Sequence, residues 1–191
     1  MQAKNPSFDI KPKNILLDHN FQPKISDFGM AKLCSKEKSV VSLTAVRGTD
    51  GYIAPELYSR NFGEVSYKSD VFSYGMMLLE IVGCKKNTDF TIENQSQVHF
   101  PEWIYNRMMS LEREFSLEIE KDGDEEIAKK LAIVGLWCIQ WNPTERPSMT
   151  MVIQMLEGDL QSLDIPPKPF VSSDVEMGNF KPMTIMEDNN L

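Results

Sequence analysis

Cysteine and histidine are scarce in this sequence, and their positions are isolated. The three cysteines are Cys34, Cys84 and Cys138, and the two histidines are His19 and His99. None of the cysteines forms a Cys-x-x-Cys pair or lies near a histidine at the spacing of metal ligands. The sequence therefore predicts neither a zinc site nor a histidine-based catalytic triad, and reduced, mostly buried thiols are expected.

Positive charge is also in deficit. The 191 residues include 20 lysines and arginines against 28 aspartates and glutamates, which gives a formal net charge of −8 at pH 7. Phosphate backbones and anionic lipid surfaces repel a protein of this charge. The composition therefore argues against nucleic acid or an anionic membrane surface as the main partner.

Long apolar runs are missing as well. The longest, within residues 71–83, is interrupted by Ser73 and Glu80 and is too short to span a bilayer. Residues 1–14 contain two prolines and no apolar segment of the kind found in signal peptides. We therefore expect no membrane segment, a reducing compartment such as the cytoplasm, and one domain of ordinary size.

Apolar periodicity predicts a mainly α chain with one small β-hairpin. Short extended runs at 15–17 and 24–26 flank a tight turn. An almost wholly apolar segment that ends at Gly83 predicts a buried central helix, which Ser69 or Asp70 could cap. Further helices are predicted at 101–116, 125–140 and 149–158, the last capped by Ser148.

Two segments have no periodicity. Residues 27–60 are punctuated by glycine and proline, so we expect a long ordered loop, and such loops within a domain are usually functional or disordered. Residues 166–191 begin with two prolines and mix polar and apolar residues without a period. A disordered tail is therefore expected at 166–191, after a domain at 1–165.

Four polar side chains flank the predicted hairpin. Asp9, Lys11 and Asn14 precede it, and Asp27 follows it, 18 positions after Asp9. The hairpin would bring both groups to one cleft. A carboxylate can accept a proton from an attacking hydroxyl, an ammonium can neutralise a phosphoryl group, and carboxylate and amide oxygens can bind Mg²⁺. The set therefore favours phosphoryl transfer.

These residues belong to an ordered pattern, D-x-K-x-x-N, then D-F-G, then A-P-E, which resembles the catalytic core of eukaryotic protein kinases. The stretches KISDFGMAKL, RGTDGYIAPE and WNPTERPSM continue the match over about residues 7–158. Residues 51–83 resemble plant receptor-like Ser/Thr kinases of the leaf-rust-resistance type. The resemblance implies a mainly α fold, namely the helical C-lobe of a protein kinase without the N-lobe. The hairpin would lie at the catalytic loop, and residues 1–165 would be a partial kinase domain.

The resemblance also implies roles in catalysis. Asp9 would be the catalytic base, and Lys11 would contact the γ-phosphate of ATP, in a setting typical of Ser/Thr specificity. Asn14 and Asp27 would hold Mg²⁺. Residues 27–56 would form the activation segment.

Four further residues would support the site by the same resemblance. Thr49 would hydrogen-bond near Asp9 and help to form the floor on which a peptide substrate binds. Glu56 would pair with Arg146 and tie the activation segment to the helical lobe. Asp70 would brace the catalytic loop from the start of the central helix.

The sequence departs from the family's pattern in two respects. Ser7-Phe8-Asp9 stands where relatives usually have His-Arg-Asp, so the cation that commonly pairs with a phosphorylated activation loop is replaced by Phe8. No stretch reads G-x-G-x-x-G or V-A-I-K, and the six residues before Ser7 leave no room for a small lobe. We therefore expect little or no kinase activity from this polypeptide alone, and ATP binding if a small lobe is supplied.

Three functional hypotheses stay open. The first is a Ser/Thr protein kinase domain that uses ATP and Mg²⁺ to phosphorylate a protein substrate and is weak or inactive alone. The second is a non-catalytic binding module or pseudokinase fragment, which docks partners through residues 49–56 and the helix after Pro101. The third is a non-functional remnant. Fuller relatives are membrane-anchored with the kinase domain in the cytoplasm, so a cytoplasmic location is expected.

Overall fold

Helices dominate the computed structural model of the chain, which describes residues 9–27, 40–41, 48–58, 65–84, 100–109 and 122–169. Within these residues there are five α-helices: α1 (Pro55–Tyr58), α2 (Lys68–Gly83), α3 (Phe100–Met109), α4 (Asp122–Cys138) and α5 (Met149–Glu157). Four short strands pair antiparallel: β1 (Ile15–Leu17) with β2 (Pro23–Ile25), and β3 (Val40–Val41) with β4 (Val65–Ser66). The prediction of a mainly α chain with a small hairpin is confirmed, and the β3–β4 pair is an addition that the sequence did not predict.

The β1–β2 hairpin has a wider connection than the predicted tight turn. Ile15 lies opposite Ile25, and residues 18–22 join the strands. The carboxylate of Asp18 accepts hydrogen bonds from the backbone N–H groups of Asn20 and Gln22, at 2.9 and 3.0 Å. Because one aspartate satisfies two backbone donors, the longer turn is stable. The strand β2 starts one residue earlier than expected.

The central helix α2 begins at Lys68, ahead of its predicted cap. Tyr67 precedes the helix and makes no capping bond with its side chain. Instead, the hydroxyl of Ser66 accepts a hydrogen bond from the backbone N–H of Lys68 at 3.2 Å. The prediction that Ser69 or Asp70 caps this helix is therefore wrong, because a hydroxyl further upstream already binds the first turn.

The thiols differ in their surroundings. Cys138 is buried at the end of α4, as expected. Cys84 follows α2 with a left-handed φ of 49°, which ends the helix, and its side chain is exposed. The expectation of burial is therefore wrong for Cys84, while Cys34 lies outside the described residues.

Two glycines allow α2 and α4 to approach closely. A Cβ atom at Gly75 would lie 2.8 Å from the carbonyl oxygen of Gly135 and 2.6 Å from the Cβ of Cys138. Both distances are shorter than van der Waals contact, so a larger residue at Gly75 would push the helices apart. The main apolar cluster of the described residues surrounds this crossing and is formed by Met76, Leu79, Val82, Ile104, Ala128, Ala132, Leu136 and Ile139.

The other helices occur where the sequence predicts them, with different limits. The described part of α3 ends at Met109, and residues 110–121 lie outside the described residues. In α4 the apolar Ile127 is 57% exposed, because the first turns of this helix extend beyond the core. The predicted cap of α5 is confirmed, since the hydroxyl of Ser148 accepts a hydrogen bond from the backbone N–H of Met151 at 3.2 Å.

An extended segment, residues 163–169, follows α5 and lies against α3 and α4. The indole N–H of Trp137 in α4 donates a hydrogen bond to the carbonyl of Asp164 at 2.8 Å. The side chain of Gln140, just after α4, donates to a further carbonyl of this segment at 3.1 Å, and Pro166 is fully buried. Lys168 forms an ion pair with a glutamate of α3. The sequence predicts disorder from residue 166 onward, but the described part of that tail contacts the helices, and residues 170–191 lie outside the described residues.

A buried guanidinium joins α1 to the helical body. Arg146 is 1% exposed, and its Nη1 and Nη2 donate to the two carboxylate oxygens of Glu56 at 2.7 and 2.8 Å. The remaining N–H groups donate to the backbone carbonyls of Gln140, Lys68 and Trp141 at 2.7, 3.0 and 3.0 Å. Each of the donors that a guanidinium possesses therefore has an acceptor.

The variant Gly75→Ala is expected to lower the free energy of unfolding by about 1–3 kcal/mol, since backbone atoms at the crossing cannot move away from the added methyl group. Better helix propensity, worth about 1 kcal/mol, opposes this loss only in part. Gly135→Ala is the matched control, because its Cβ would meet mainly the side chain of Leu79, which can move. Urea unfolding compares the two variants, and equal stability would contradict this account of the crossing.

Arg146→Ala is expected to cost about 3–5 kcal/mol of stability, because the carboxylate of Glu56 would stay buried without its cation. Lys129→Ala serves as the control, since it removes a more exposed ion pair with Glu125 and should change stability by less than about 1 kcal/mol. Chemical denaturation measures both losses. A loss for Arg146→Ala as small as that of the control would show that the pair does not hold α1 in place.

Candidate active site

The residues of the predicted catalytic loop are arranged by a short 3₁₀ turn, Pro12–Asn14, that precedes β1. Proline suits the start of such a turn because its φ is already near the helical value. The turn folds Asn14 back over Asp9. The amide Nδ2 of Asn14 donates to the backbone carbonyl and to Oδ2 of Asp9, both at 2.9 Å.

Lys11 and Thr49 complete a ring of donors around the carboxylate of Asp9. The Nζ atom of Lys11 lies 2.8 Å from Asp9 Oδ2 and 2.8 Å from the hydroxyl oxygen of Thr49. The hydroxyl of Thr49 donates to Asp9 Oδ1 at 2.6 Å. The structure therefore brings Asp9, Lys11, Asn14 and Thr49 together, with Asp9 only 5% exposed.

Opposing effects set the pKa of Asp9. Burial disfavours the charged carboxylate and by itself would raise the pKa. The hydrogen bonds from Lys11, Thr49 and Asn14, together with the charge of Lys11, outweigh burial and hold the pKa of Asp9 below its ordinary value of 3.8. The carboxyl group is therefore ionised at neutral pH.

A turn between two glycines presents Thr49 to Asp9. Gly48 and Gly51 have φ values of 132° and 85°, which residues with a Cβ atom rarely adopt. Within this turn the backbone N–H of Tyr52 donates to the carbonyl of Thr49 at 3.0 Å. The glycines thus allow a backbone shape that places Thr49 beside a residue 40 positions earlier in the chain.

Asp27 lies where the chain leaves the hairpin, next to a residue that contacts Asn14. The backbone N–H and the hydroxyl of Ser26 both donate to the carbonyl of Asn14, at 2.8 and 3.1 Å. Asp27 is exposed and has a φ of 59°, a left-handed conformation that is uncommon for most residues with a side chain. The hairpin therefore places the two predicted magnesium ligands in adjoining loops.

The oxygen donors of these two residues fit a hard divalent cation. The Nδ2 atom of Asn14 is directed at Asp9, so its carbonyl oxygen Oδ1 faces the opposite way. Mg²⁺ is commonly held by one or two carboxylates, with phosphate oxygens and waters completing its octahedron. Within the described ranges there is no group of three or more His, Cys, Asp or Glu residues that could hold a metal. Two protein oxygens of this kind would leave the other positions of that octahedron to phosphate oxygens and waters.

The other predicted site residues have different surroundings. Glu56 and Arg146 form the buried ion pair at α1. Asp70 is half-buried in the first turn of α2, and its role as a brace of the catalytic loop stays a prediction. Ser7 and Phe8, the departures from the family's pattern, lie outside the described residues, as do 28–39 and 42–47 of the predicted activation segment.

Sequence reasoning missed the residues that hold the Thr49 turn against α2. The hydroxyl of Ser73 donates to the carbonyl of Tyr52 at 2.7 Å, and the phenol of Tyr52 donates to the carboxylate of Glu80. Burial, the hydrogen bond to Glu80 and the charge of Glu80 all raise the pKa of Tyr52, so the phenol keeps its proton. The sequence carries a signal for this contact, because Ser73 and Glu80 interrupt the apolar run of α2.

Comparison with known proteins extends this pattern over most of the chain. The family model of the protein kinase domain matches residues 7–156. Rust resistance kinase Lr10 of Triticum aestivum is 61% identical over 171 residues, which are 89% of this chain and 27% of that protein. The PR5-like receptor kinase of Arabidopsis thaliana is 53% identical over 173 residues, which are 88% of this chain and 26% of that protein.

A third relative from Arabidopsis thaliana, leaf rust 10 disease-resistance locus receptor-like protein kinase-like 2.3, is 51% identical over 178 residues, covering 90% of this chain and 28% of that protein. The chain thus spans 26–28% of the length of these curated relatives. No helix in the described part of the chain combines the length and apolar character that crossing a bilayer requires. With a family model matched over residues 7–156 and relatives that are plant kinases, the chain belongs to the protein kinase family.

Proposed function

We propose that this domain transfers the γ-phosphoryl group of Mg²⁺-bound ATP to a serine or threonine hydroxyl of a protein substrate. The observation that carries the proposal is the carboxylate of Asp9, which is buried, ionised and surrounded by Lys11, Thr49 and Asn14. A carboxylate held in this way can orient an acceptor hydroxyl and take its proton. Phosphoryl transfer depends mainly on such positioning and on charge compensation.

The hydrogen bonds of Asp9 identify the oxygen that would receive the substrate hydroxyl. A carboxylate has about four lone-pair sites. Among the described residues, Lys11 and Asn14 both donate to Oδ2, whereas Thr49 is the one that donates to Oδ1. Those residues therefore leave one site on Oδ1 of Asp9 for an incoming hydroxyl, next to the hydroxyl of Thr49.

Lys11 would compensate charge on the acceptor side of the reaction. Its ammonium group bridges Asp9 and Thr49 at 2.8 Å from each, so a cation lies beside the place where the substrate hydroxyl would bind. An ammonium in a half-buried position stabilises negative charge on phosphoryl oxygens more strongly than one in water does. Lys11 thus fits contact with the transferred phosphoryl group.

Asn14 and Asp27 would hold the magnesium ion that accompanies ATP. When bound, the ion would neutralise phosphate charge. Next to Asn14, the hairpin exposes apolar side chains on both faces, Leu16 on one and Leu17 and Ile25 on the other, and one of these faces would offer a surface for the purine ring. The 191 residues contain no Gly-rich phosphate loop, so we infer that this polypeptide alone binds Mg²⁺-ATP weakly and transfers phosphate slowly.

Substitution of the two aspartates by asparagine separates the proposed base from the proposed metal ligand. Asp9→Asn is expected to reduce phosphoryl transfer by about 10²- to 10⁴-fold while retaining stabilisation by Mg²⁺-ATP. Asp27→Asn is expected to lose both phosphoryl transfer and stabilisation by Mg²⁺-ATP. The substitution should not disturb the backbone, because asparagine also tolerates a left-handed φ. Thermal unfolding with increasing Mg²⁺-ATP and transfer of labelled phosphate to a Ser/Thr peptide measure the two effects.

Two results of this experiment would count against the proposal. Phosphate transfer that survives in Asp9→Asn would remove Asp9 from the role of base. Unfolding temperatures of the unmodified chain that do not respond even to Mg²⁺-ATP concentrations high enough to fill a weak site would favour the alternative, a kinase-like binding module without catalysis.

The lowered pKa of Asp9 predicts how stability depends on pH. Its contribution is fully present above the ordinary value of 3.8 and is lost as the pH falls through the folded-state pKa. Asp9→Asn cannot bind this proton. The difference in unfolding free energy between the unmodified chain and Asp9→Asn should therefore shrink from neutral pH to about pH 3. Urea denaturation without Mg²⁺ measures this difference, and a constant or growing value would contradict the lowered pKa.

A further inference from the structure

Two polar side chains of α2 hold one residue of the neighbouring loop at both ends. Ser73 and Glu80 are seven residues apart, about two helical turns, so they lie on the same face of α2. Ser73 contacts the backbone carbonyl of Tyr52, and Glu80 contacts its phenol. Tyr52 is therefore attached to α2 at two points about two helical turns apart, through its backbone carbonyl and its phenol.

From Tyr52 the hydrogen bonds continue to the candidate base. The hydroxyl of Ser73 donates to the carbonyl of Tyr52 at 2.7 Å, and the N–H of Tyr52 donates to the carbonyl of Thr49 at 3.0 Å. The hydroxyl of Thr49 then donates to Oδ1 of Asp9 at 2.6 Å. A relay of three hydrogen bonds thus joins the central helix to the carboxylate.

The hydrogen bond from Ser73 to Tyr52 is made in addition to the bond within the helix that a helical serine ordinarily makes. A serine within a helix can bond the carbonyl four residues earlier, and for Ser73 that carbonyl, in Ser69, lies 3.1 Å away. A hydroxyl has one proton, so it cannot serve both acceptors fully. The distance to Tyr52 is the shorter one, and Ser73 is 4% exposed, so water cannot replace its bond to the loop.

We propose that Ser73 is a positioning residue for the phosphoacceptor site, because it holds the backbone of Tyr52 through its carbonyl and thereby directs the hydroxyl of Thr49 onto Asp9. The description of Asp9 and Thr49 as the acceptor site rests on the proposed function. The relay itself does not, since it consists of hydrogen bonds within this chain.

Ser73→Ala tests the proposal in the 191-residue chain without nucleotide or substrate. The Tyr52 amide should exchange with solvent about five- to tenfold faster, as expected for the loss of one supporting hydrogen bond. The NMR signals of the Thr49 methyl and hydroxyl groups should shift because the bond to Asp9 loosens. Ser73→Thr restores a hydroxyl and should return both readouts toward those of the unmodified chain.

Ser69→Ala is the matched control. Ser69 is buried in the same helix one turn earlier, and its hydroxyl donates to the carbonyl of Ser66 at 2.8 Å, away from the Thr49 turn. Both alanine variants should lower the unfolding temperature to a similar extent. Only Ser73→Ala should change the signals of Thr49 and the exchange of the Tyr52 amide.

Two outcomes would overturn the proposal. One is a Ser73→Ala chain in which the Thr49 signals and the Tyr52 exchange are unchanged. The other is a Ser69→Ala chain that changes them equally, since the effect would then be one of general stability. Neither outcome bears on whether Asp9 acts as a base, because that assignment is tested separately with Mg²⁺-ATP and labelled phosphate.

Discussion

The attachment of α1 and of the loop before it depends on the guanidinium of Arg146. A buried cation is unfavourable unless its charge and all of its N–H groups are satisfied. Here one carboxylate takes two N–H groups and three backbone carbonyls take the others, from α1, the start of α2 and the residues after α4. Because these segments are far apart in sequence, a single side chain fixes their relative positions, and the loop that ends in α1 gains a firm attachment.

That loop carries Thr49, and its conformation follows from two attachments. Glu56 holds one end through Arg146, and Tyr52 is held in the middle by Ser73 and Glu80 of α2. The helix that provides the second attachment is itself fixed by its close glycine contact with α4. Residues on irregular backbone can form a defined site when rigid elements support them in this way.

Local signals in the sequence were sufficient for most elements, and the proximity of Lys11 and Asn14 to Asp9, which their spacing suggested, is seen in their hydrogen bonds. The spacing of Asp9, Lys11 and Asn14 and the cap at Ser148 can each be read within a few consecutive residues. The apolar run of α2 is longer than a loop would contain. The missed features depend on contacts between distant segments. The two-residue strands β3 and β4 are too short for any period, the burial of Pro166 depends on α3 and α4, and the relay through Ser73 exists only once α2 lies beside the loop.

The two halves of the candidate site differ in how far the described residues complete them. On the side proposed for the acceptor, both oxygens of Asp9 accept hydrogen bonds, and the turn that carries Thr49 is bonded to α2, so this geometry exists before any substrate binds. On the side proposed for the nucleotide, the described residues offer two candidate oxygen ligands, Asn14 and Asp27, and an exposed apolar hairpin. Affinity for a nucleotide grows with the surface that encloses it. On the proposed function, the helical body would orient the acceptor hydroxyl, whereas strong binding of ATP would require groups that cover the hairpin.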